Sequence, residues 1–146
     1  MTIVHREPVL DEWIDYNGHL SEPYYVLVLG HATDAVMDEV GIDATFRAAE
    51  DASLFTVEAH VRYLDQVGPG LELETRSQVI GATDKLLWIW HELYAEGRLR
   101  ATEEILGVYV DTATGRSAPF PDTIRDRIEQ LRVDPPDHAG RSIRVG

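Results

Sequence analysis

Apolar residues repeat every three to four positions between residues 23 and 41, a period that predicts one long α-helix. The helix would begin at Pro23, whose missing N–H is not needed in a first turn, with Ser21 or Glu22 as its cap. Gly41 would end it. Because most of its circumference is apolar, we expect the core to surround it on most sides. The apolar positions are Tyr25, Leu29, Ala32, Val36 and Val40, widened by Leu27, Val28 and Ala35.

After residue 52 the spacing of apolar residues falls to two, which predicts β-strands. Turns rich in Gly, Pro and Asp separate these strands, so an antiparallel meander is the simplest arrangement. Pro8 restricts the first strand of the chain to a sheet edge or a bulge. The predicted strands are 3–10, 53–65, 71–81, 85–95 and 99–111, with short helices at 44–52 and 122–132.

This order of elements predicts an α+β domain in which a curved antiparallel sheet wraps around one long helix. Apolar side chains occupy both faces of the predicted sheet, and one helix covers only one of them. We therefore expect self-association through a sheet edge or face, as a homodimer or a homotetramer. In the strand 85–95, Leu87, Ile89 and Leu93 share one face, and Trp88 and Trp90 share the other.

Composition narrows the classes of function. The 146 residues suffice for one domain, which we place at 1–133, with 134–146 as a flexible tail. A net charge of -13 argues against nucleic acid or an anionic membrane as partner. Without cysteine there is no disulfide, thiolate metal site or cysteine nucleophile. Neither an apolar leader nor a spanning segment is present, so we expect a cytoplasmic protein.

The polar segment just before the long helix carries a recognisable motif. Asp15-Tyr16-Asn17-Gly18-His19-Leu20, followed by Pro23-Tyr24-Tyr25, resembles the signature of the hotdog-fold acyl-CoA thioesterases of the 4-hydroxybenzoyl-CoA thioesterase type. Segments 58–64 and 110–121 extend the resemblance to most of the chain. The segments WIDYNGH, GHATDAV and VEAHVRYL are most similar to betainyl-CoA thioesterases, which also occur fused behind carnitine dehydrogenases.

The resemblance implies roles for the catalytic candidates Asp15, Gly18, His19 and Glu22. Asp15 would attack the thioester carbon or activate a water, and both roles are open. The backbone N–H of Glu22, at the positive end of the helix, would bind the carbonyl oxygen. Gly18 belongs to the motif and suits the turn, and His19 either orients the acyl group or binds a backbone carbonyl. An Asp before Asn-Gly also has a purely structural use, because it shapes the loop as an Asx-turn.

Aromatic residues supply the candidate substrate contacts. A quaternary ammonium such as the betainyl group is attracted to aromatic faces, and Glu22 would add charge complementarity. Coenzyme A phosphates need local cations, for which Arg62, Lys85, Arg98, Arg100 and Arg116 are candidates. The resemblance implies that such sites form between subunits. The residues assigned to substrate binding are Trp13, Tyr16, Asn17, Tyr24, Tyr25, His60, Arg62, Trp88 and Trp90.

Two other functions compete with an acyl-CoA thioesterase. A non-catalytic module that binds acyl-CoA or another small ligand would keep the fold without needing the acidic loop. A dehydratase or hydratase would need a histidine beside the acyl carbonyl, and His60, with Glu58 two residues before it, is the strand candidate. His31 and Asp34 alone are poor evidence for metal ligation, so we expect no metal and no cofactor.

Overall fold

The computed structural model describes residues 1–145, so Gly146, the last residue of the predicted tail, lies outside the described residues. Two long elements dominate the chain, a helix in its first third and the last major strand. A short 3-10 turn at Asp11–Trp13 precedes the helix. The elements are β1 (Ile3–Pro8), α1 (Glu22–Val40), α2 (Ala44–Glu50), β2 (Ala52–Tyr63), β3 (Glu72–Ala82), β4 (Leu86–Ala95), β5 (Arg98–Asp111), β6 (Arg116–Ser117) and α3 (Asp122–Leu131).

All strands join one antiparallel sheet in the order β1-β3-β4-β5-β2, with the short β6 also paired to β5. The predicted meander is therefore correct only for β3, β4 and β5, since β2 pairs with β5 and not with β3. The segment 64–71 is a crossover and not a hairpin, because Leu64 N–H bonds Arg100 O and Val67 O accepts from Leu20 N–H. Strand β1 lies at an edge, as Pro8 indicated.

The sheet packs against α1 through one face of the helix. Tyr25, Val28, Leu29, Ala32, Val36 and Val40 are buried there, as the periodicity predicted. The expectation of a helix enclosed on most sides was wrong for this single chain: Val26 and Leu27 are each 42% exposed, because the sheet reaches only one side. Gly41 ends the helix with a left-handed φ of 99°. Ser21 precedes the helix but its side chain makes no capping hydrogen bond.

The two faces of β4 separate as predicted. Leu87, Ile89 and Leu93 are completely buried under α1, whereas the tryptophans between them lie on the opposite face, which we call the outer face. On strand β5, Ile105 also faces the helix, and Tyr109 packs in the same core nearer the end of the strand. The two tryptophans of β4 therefore lie outside the core that packs under the helix.

Helix α3, expected at 122–132, closes the far end of the core with Ile124, Ile128 and Leu131. Beyond it the chain returns to the outer face, where Gly140 N–H donates to both oxygens of Glu104 at 2.9 Å. Within the part of the chain that the structure describes, no helix has both the length and the apolar character needed to cross a membrane.

Candidate functional site

The acidic motif forms a tight loop directly before α1. Ile14 and Leu20 form an isolated β-bridge, and between them Asp15 N–H bonds His19 O at 2.9 Å. Gly18 N–H bonds Asp15 O at 3.0 Å, and Gly18 has a φ of 79°, a conformation that side chains disfavour. Backbone hydrogen bonds therefore fix the loop, and glycine is required at its fourth position.

The Asp15 carboxylate has one structural contact and one free oxygen. Its Oδ1 accepts from Asn17 N–H at 2.9 Å, which is the Asx-turn expected of this sequence. Over residues 1–145 no hydrogen-bond donor contacts Oδ2, and the side chain is half-buried. The structural and the catalytic use of Asp15 are thus compatible, because each can employ a different oxygen.

The first turn of α1 leaves a backbone donor available. Ser21 N–H bonds Trp13 O and Tyr24 N–H bonds Ser21 O, while Pro23 has no N–H to offer. In the described chain, Glu22 N–H has no hydrogen-bond acceptor. A free N–H at the positive end of a helix is suited to stabilise an oxyanion. The arrangement fits the donor role expected for Glu22.

The aromatic candidates divide into core and surface groups. Trp13 is buried and stacks on Tyr24 with ring centroids 5.5 Å apart, and Tyr25 is buried with its hydroxyl donating to Asp65 O. Tyr16 is 98% exposed at the loop tip. Asn17 and Gly18 are also exposed, and His19 is half-buried. Trp13 and Tyr25 therefore support the loop from inside, and Tyr16 is open to a ligand or to another chain.

A separate cavity of about 770 Å³ lies on the outer face of the sheet. It is lined by Glu58, His60, Trp88 and Glu104, together with residues that follow α3. Glu104 accepts from Trp88 Nε1 at 2.8 Å and lies 4.0 Å from His60 Nδ1. Glu58 and His60 share this wall, as their spacing predicted.

The cavity and the loop are not one site within this chain. None of the residues 13–25 lines the cavity. Trp90, which was expected beside Trp88, is buried and donates to Glu92 Oε2 at 3.2 Å outside it. The sequence analysis thus named residues of the loop and residues of the cavity, but it assigned them all to one site.

The basic candidates also occupy different environments. Arg100 is buried and its guanidinium donates to the carbonyls of Ala95 and Gln66, which makes it a structural residue and removes it as a phosphate ligand. Arg98 pairs with Asp65 at 2.5 Å on the surface. In the chain as described, Arg62 is half-buried and forms no ion pair, so its charge is available. Lys85 and Arg116 lie on the surface near β6.

Two buried titratable groups were missed by the sequence analysis. Glu103 is only 4% exposed on the helix side of β5, and burial raises the pKa of its carboxyl to about 7. His91 is its register partner on β4, and burial lowers the pKa of its imidazole to about 3. The adjacent acids Glu103 and Glu104 within an otherwise apolar strand were the signal that could have revealed them.

Glu103 also acts on the surroundings of the helix start. Burial raises the pKa of Tyr63, and the negative charges of Glu22 and Glu103 raise it further. Tyr63 packs edge-on against Tyr25 with ring centroids 5.3 Å apart. Glu22 therefore places a negative charge beside the first turn of α1, whereas Glu103 is partly protonated near neutral pH. Among the residues described, neither the loop nor the cavity gathers three side chains spaced to bind a metal.

Comparison with known proteins places this geometry in a family. Residues 9–128 match the model of the Thioesterase-like superfamily. A betainyl-CoA thioesterase of Pseudomonas aeruginosa is 41% identical over 95% of this chain and 92% of its own length. A putative thioesterase of Pseudomonas putida is 35% identical with a TM-score of 0.82, covering 99% of this chain and 96% of that one.

The fold has a further parallel in a Staphylococcus aureus protein solved in complex with CoA. Its TM-score is 0.91 at 23% identity, over the whole of this chain and 96% of that one. The curved sheet around one helix is the hotdog fold, as the motif implied. The chain belongs to the thioesterase-like superfamily and has the hotdog fold of its thioesterases.

Proposed function

We propose that this thioesterase hydrolyses a small acyl-CoA thioester to the free acid and CoA, and that betainyl-CoA is its substrate. The observation that carries the proposal is the free Oδ2 of Asp15 in a loop that leads directly into the unpaired N–H of Glu22. The 41% identity to a betainyl-CoA thioesterase supports the choice of acyl group.

The reaction needs a nucleophile on one side of the thioester and a donor on the other. The carbonyl oxygen would accept a hydrogen bond from Glu22 N–H, which stabilises the negative charge that develops on it. Asp15 would either add to the carbonyl carbon, giving an anhydride that water opens, or take a proton from the attacking water. In both routes the carbon–sulfur bond breaks and the CoA thiolate leaves.

Single turnover in water enriched in oxygen-18 tests whether Asp15 is the nucleophile. Nucleophilic attack followed by water opening the anhydride at Asp15 places the label in the carboxylate, which peptide mass spectrometry detects. A general base, or an anhydride that water opens at the acyl carbon, leaves the carboxylate unlabelled and places the new oxygen in the product acid, so only label in Asp15 identifies the nucleophile. Both results keep the hydrolysis, so this experiment tests the role and not the function.

The separation of loop and cavity supports a site completed by a second subunit. Tyr16 is fully open at the loop tip, and Val26 and Leu27 leave one side of α1 uncovered. A homodimer, alone or within a homotetramer, would bring the loop of one copy against the surface of the other. His19, Asn17 and Tyr24 would then contact the acyl group, and Arg62 would contact a CoA phosphate.

Replacement of Asp15 by Asn tests the proposal without breaking the loop, because an Asn Oδ1 still accepts from Asn17 N–H. We expect thiol release from betainyl-CoA to fall by about 100- to 10,000-fold in kcat. Asp11→Asn, an exposed acid in the preceding turn, is the matched control and should keep wild-type turnover.

Near-normal turnover in a folded Asp15→Asn variant would overturn the assigned role of Asp15. The same assay on a panel of betainyl, short aliphatic and aryl CoA esters tests the acyl group. Binding of CoA esters by the wild-type protein without thiol release would instead support the non-catalytic module and overturn hydrolysis.

A further inference from the structure

Three potential metal ligands meet between β1 and α1, outside the loop and the cavity. His5 Nε2 lies 2.6 Å from Glu7 Oε2, and His31 Nδ1 lies 2.8 Å from the same oxygen. The ligand atoms of the three side chains all lie within 4.8 Å of one another. Two imidazoles from different elements thus converge on one carboxylate oxygen.

The fold explains why these side chains meet. His5 and Glu7 are two residues apart on β1, so both side chains point to the face that packs on α1, together with the buried Ile3. His31 extends towards them from the middle of α1. The sequence analysis had weighed His31 only with Asp34, because no pattern along the chain reveals the contact between β1 and α1.

The cluster is sheltered but open to an ion. The Glu7 side chain is 15% exposed, and those of His5 and His31 are 30% and 41% exposed. A cation could therefore enter from solvent while the carboxylate stays largely desolvated. Since the whole chain carries a net charge of -13, the protein attracts cations at long range.

We propose that His5, Glu7 and His31 form a binding site for one divalent transition-metal ion of the Zn²⁺ class. Two imidazole nitrogens and one carboxylate oxygen are a donor set typical of Zn²⁺, whereas Mg²⁺ and Ca²⁺ prefer oxygen ligands alone. Bonds of about 2.0–2.2 Å in a tetrahedron separate ligand atoms by about 3.3 Å. Small side-chain rotations open the present separations of 2.6 and 2.8 Å to that value.

The metal would join an edge strand to the central helix. A fourth coordination position would face solvent and hold water. In the metal-free protein the same groups are linked by hydrogen bonds from the imidazoles to the carboxylate.

Conservative variants separate a metal site from a hydrogen-bonded cluster. In His31→Asn the amide nitrogen takes the place of Nδ1 and can still donate to Glu7, but the imidazole ligand is lost. His5→Gln imitates Nε2 in the same way. His138→Asn, which removes an exposed histidine elsewhere, is the matched control.

The test is titration of the full, tag-free chain with Zn²⁺ by calorimetry, and with Co²⁺ by visible absorption. We expect one Zn²⁺ per chain, the intense visible bands of tetrahedral Co²⁺, and a melting temperature that rises with Zn²⁺. In His31→Asn and His5→Gln the affinity should fall at least tenfold and the Co²⁺ bands should disappear. His138→Asn should bind like wild type.

Two results would overturn the site. One is the absence of saturable Zn²⁺ binding at roughly tenfold excess of metal over wild-type protein. The other is unchanged Zn²⁺ affinity in both His31→Asn and His5→Gln when circular dichroism shows both to be folded. Neither result bears on thioester hydrolysis, for which the proposed groups lie in the loop before α1.

Discussion

Glu103 and His91 are buried ionisable neighbours whose protonation affects stability in opposite directions. The pKa of the Glu103 carboxyl is raised from 4.5 to about 7, so the folded state holds a proton that the unfolded state releases. Its contribution to stability is lost as the pH rises from about 4.5 to 7. The pKa of the His91 imidazole is lowered from 6.5 to about 3, so stability is lost as the pH falls below 6.5.

Glu103→Gln should therefore expose the effect of His91. Each pKa shift corresponds to about 2 kcal/mol between pH 5 and 7, with opposite sign, so in the wild type the two contributions nearly cancel. In Glu103→Gln we expect the free energy of unfolding to rise by about 2 kcal/mol from pH 5 to pH 7. Urea unfolding at both pH values measures the change. Equal dependence on pH in variant and wild type would contradict a raised pKa at Glu103.

His91→Gln should show the opposite dependence. The imidazole bonds Ser77 Oγ at 2.6 Å through Nδ1 and Thr33 Oγ1 at 2.9 Å through Nε2, and a Gln amide imitates Nε2 and can keep the contact with Thr33. Without the histidine, the effect of Glu103 remains, and stability should fall by about 2 kcal/mol from pH 5 to pH 7. The same urea series checks this, and a slope like that of Glu103→Gln would count against the assignment.

At the scale of elements, the C-terminal end of α1 depends on one glycine. Gly41 has a φ of 99°, and a Cβ there would lie 2.9 Å from Ile124 Cδ1. Gly41→Ala should lower the free energy of unfolding by about 1–3 kcal/mol, from backbone strain and the clash with α3. Gly30→Ala in the middle of the same helix meets no atom within 4 Å and should instead stabilise by about 0.5–1 kcal/mol. Thermal unfolding compares the two, and equal stability of both variants would refute the argument.

Local elements were predictable from the sequence because their signals lie within a few residues. Pro23 and Gly41 placed both ends of α1 to within one residue, and the period of two located the strands. The partner of β2 was not predictable in this way, because His60 lies opposite Glu104, far along the chain. The glycines and proline between β2 and β3 predict that the chain turns there, but they do not determine which strand pairs with β2.

The candidate site was likewise predictable only where its residues are close together in the sequence. The loop from Asp15 to Glu22 is contiguous, so its motif and the helix start could be identified together. The cavity on the outer face required β2, β4, β5 and the segment after α3 to meet. The contacts of His5 and His31 with Glu7 required β1 to lie beside α1. Such contacts follow from tertiary packing, which no local pattern specifies.

At the scale of the whole molecule, the two edges of the sheet differ in how readily each could form the interface of the proposed homodimer. Strand β2 forms one edge and exposes Phe55 by 49% and Val57 by 58%. Strand β1 forms the other, where Pro8 and the ion pair of Arg6 with Glu74 discourage strand addition. An exposed apolar edge strand favours association with another chain, and a second copy of this chain offers an equivalent edge by symmetry.

If the proposed homodimer forms through β2, Val57→Lys should convert it into a monomer, because the two symmetry-related lysines would be desolvated in the same interface. Val4→Lys is the matched control, since Val4 is 44% exposed on the opposite edge and should leave the dimer intact. Light scattering after size exclusion measures the mass of each. If the site requires both copies, thiol release should fall with the dimer in Val57→Lys alone. A dimer that persists in Val57→Lys, or one that Val4→Lys disrupts, would place the interface elsewhere than at β2.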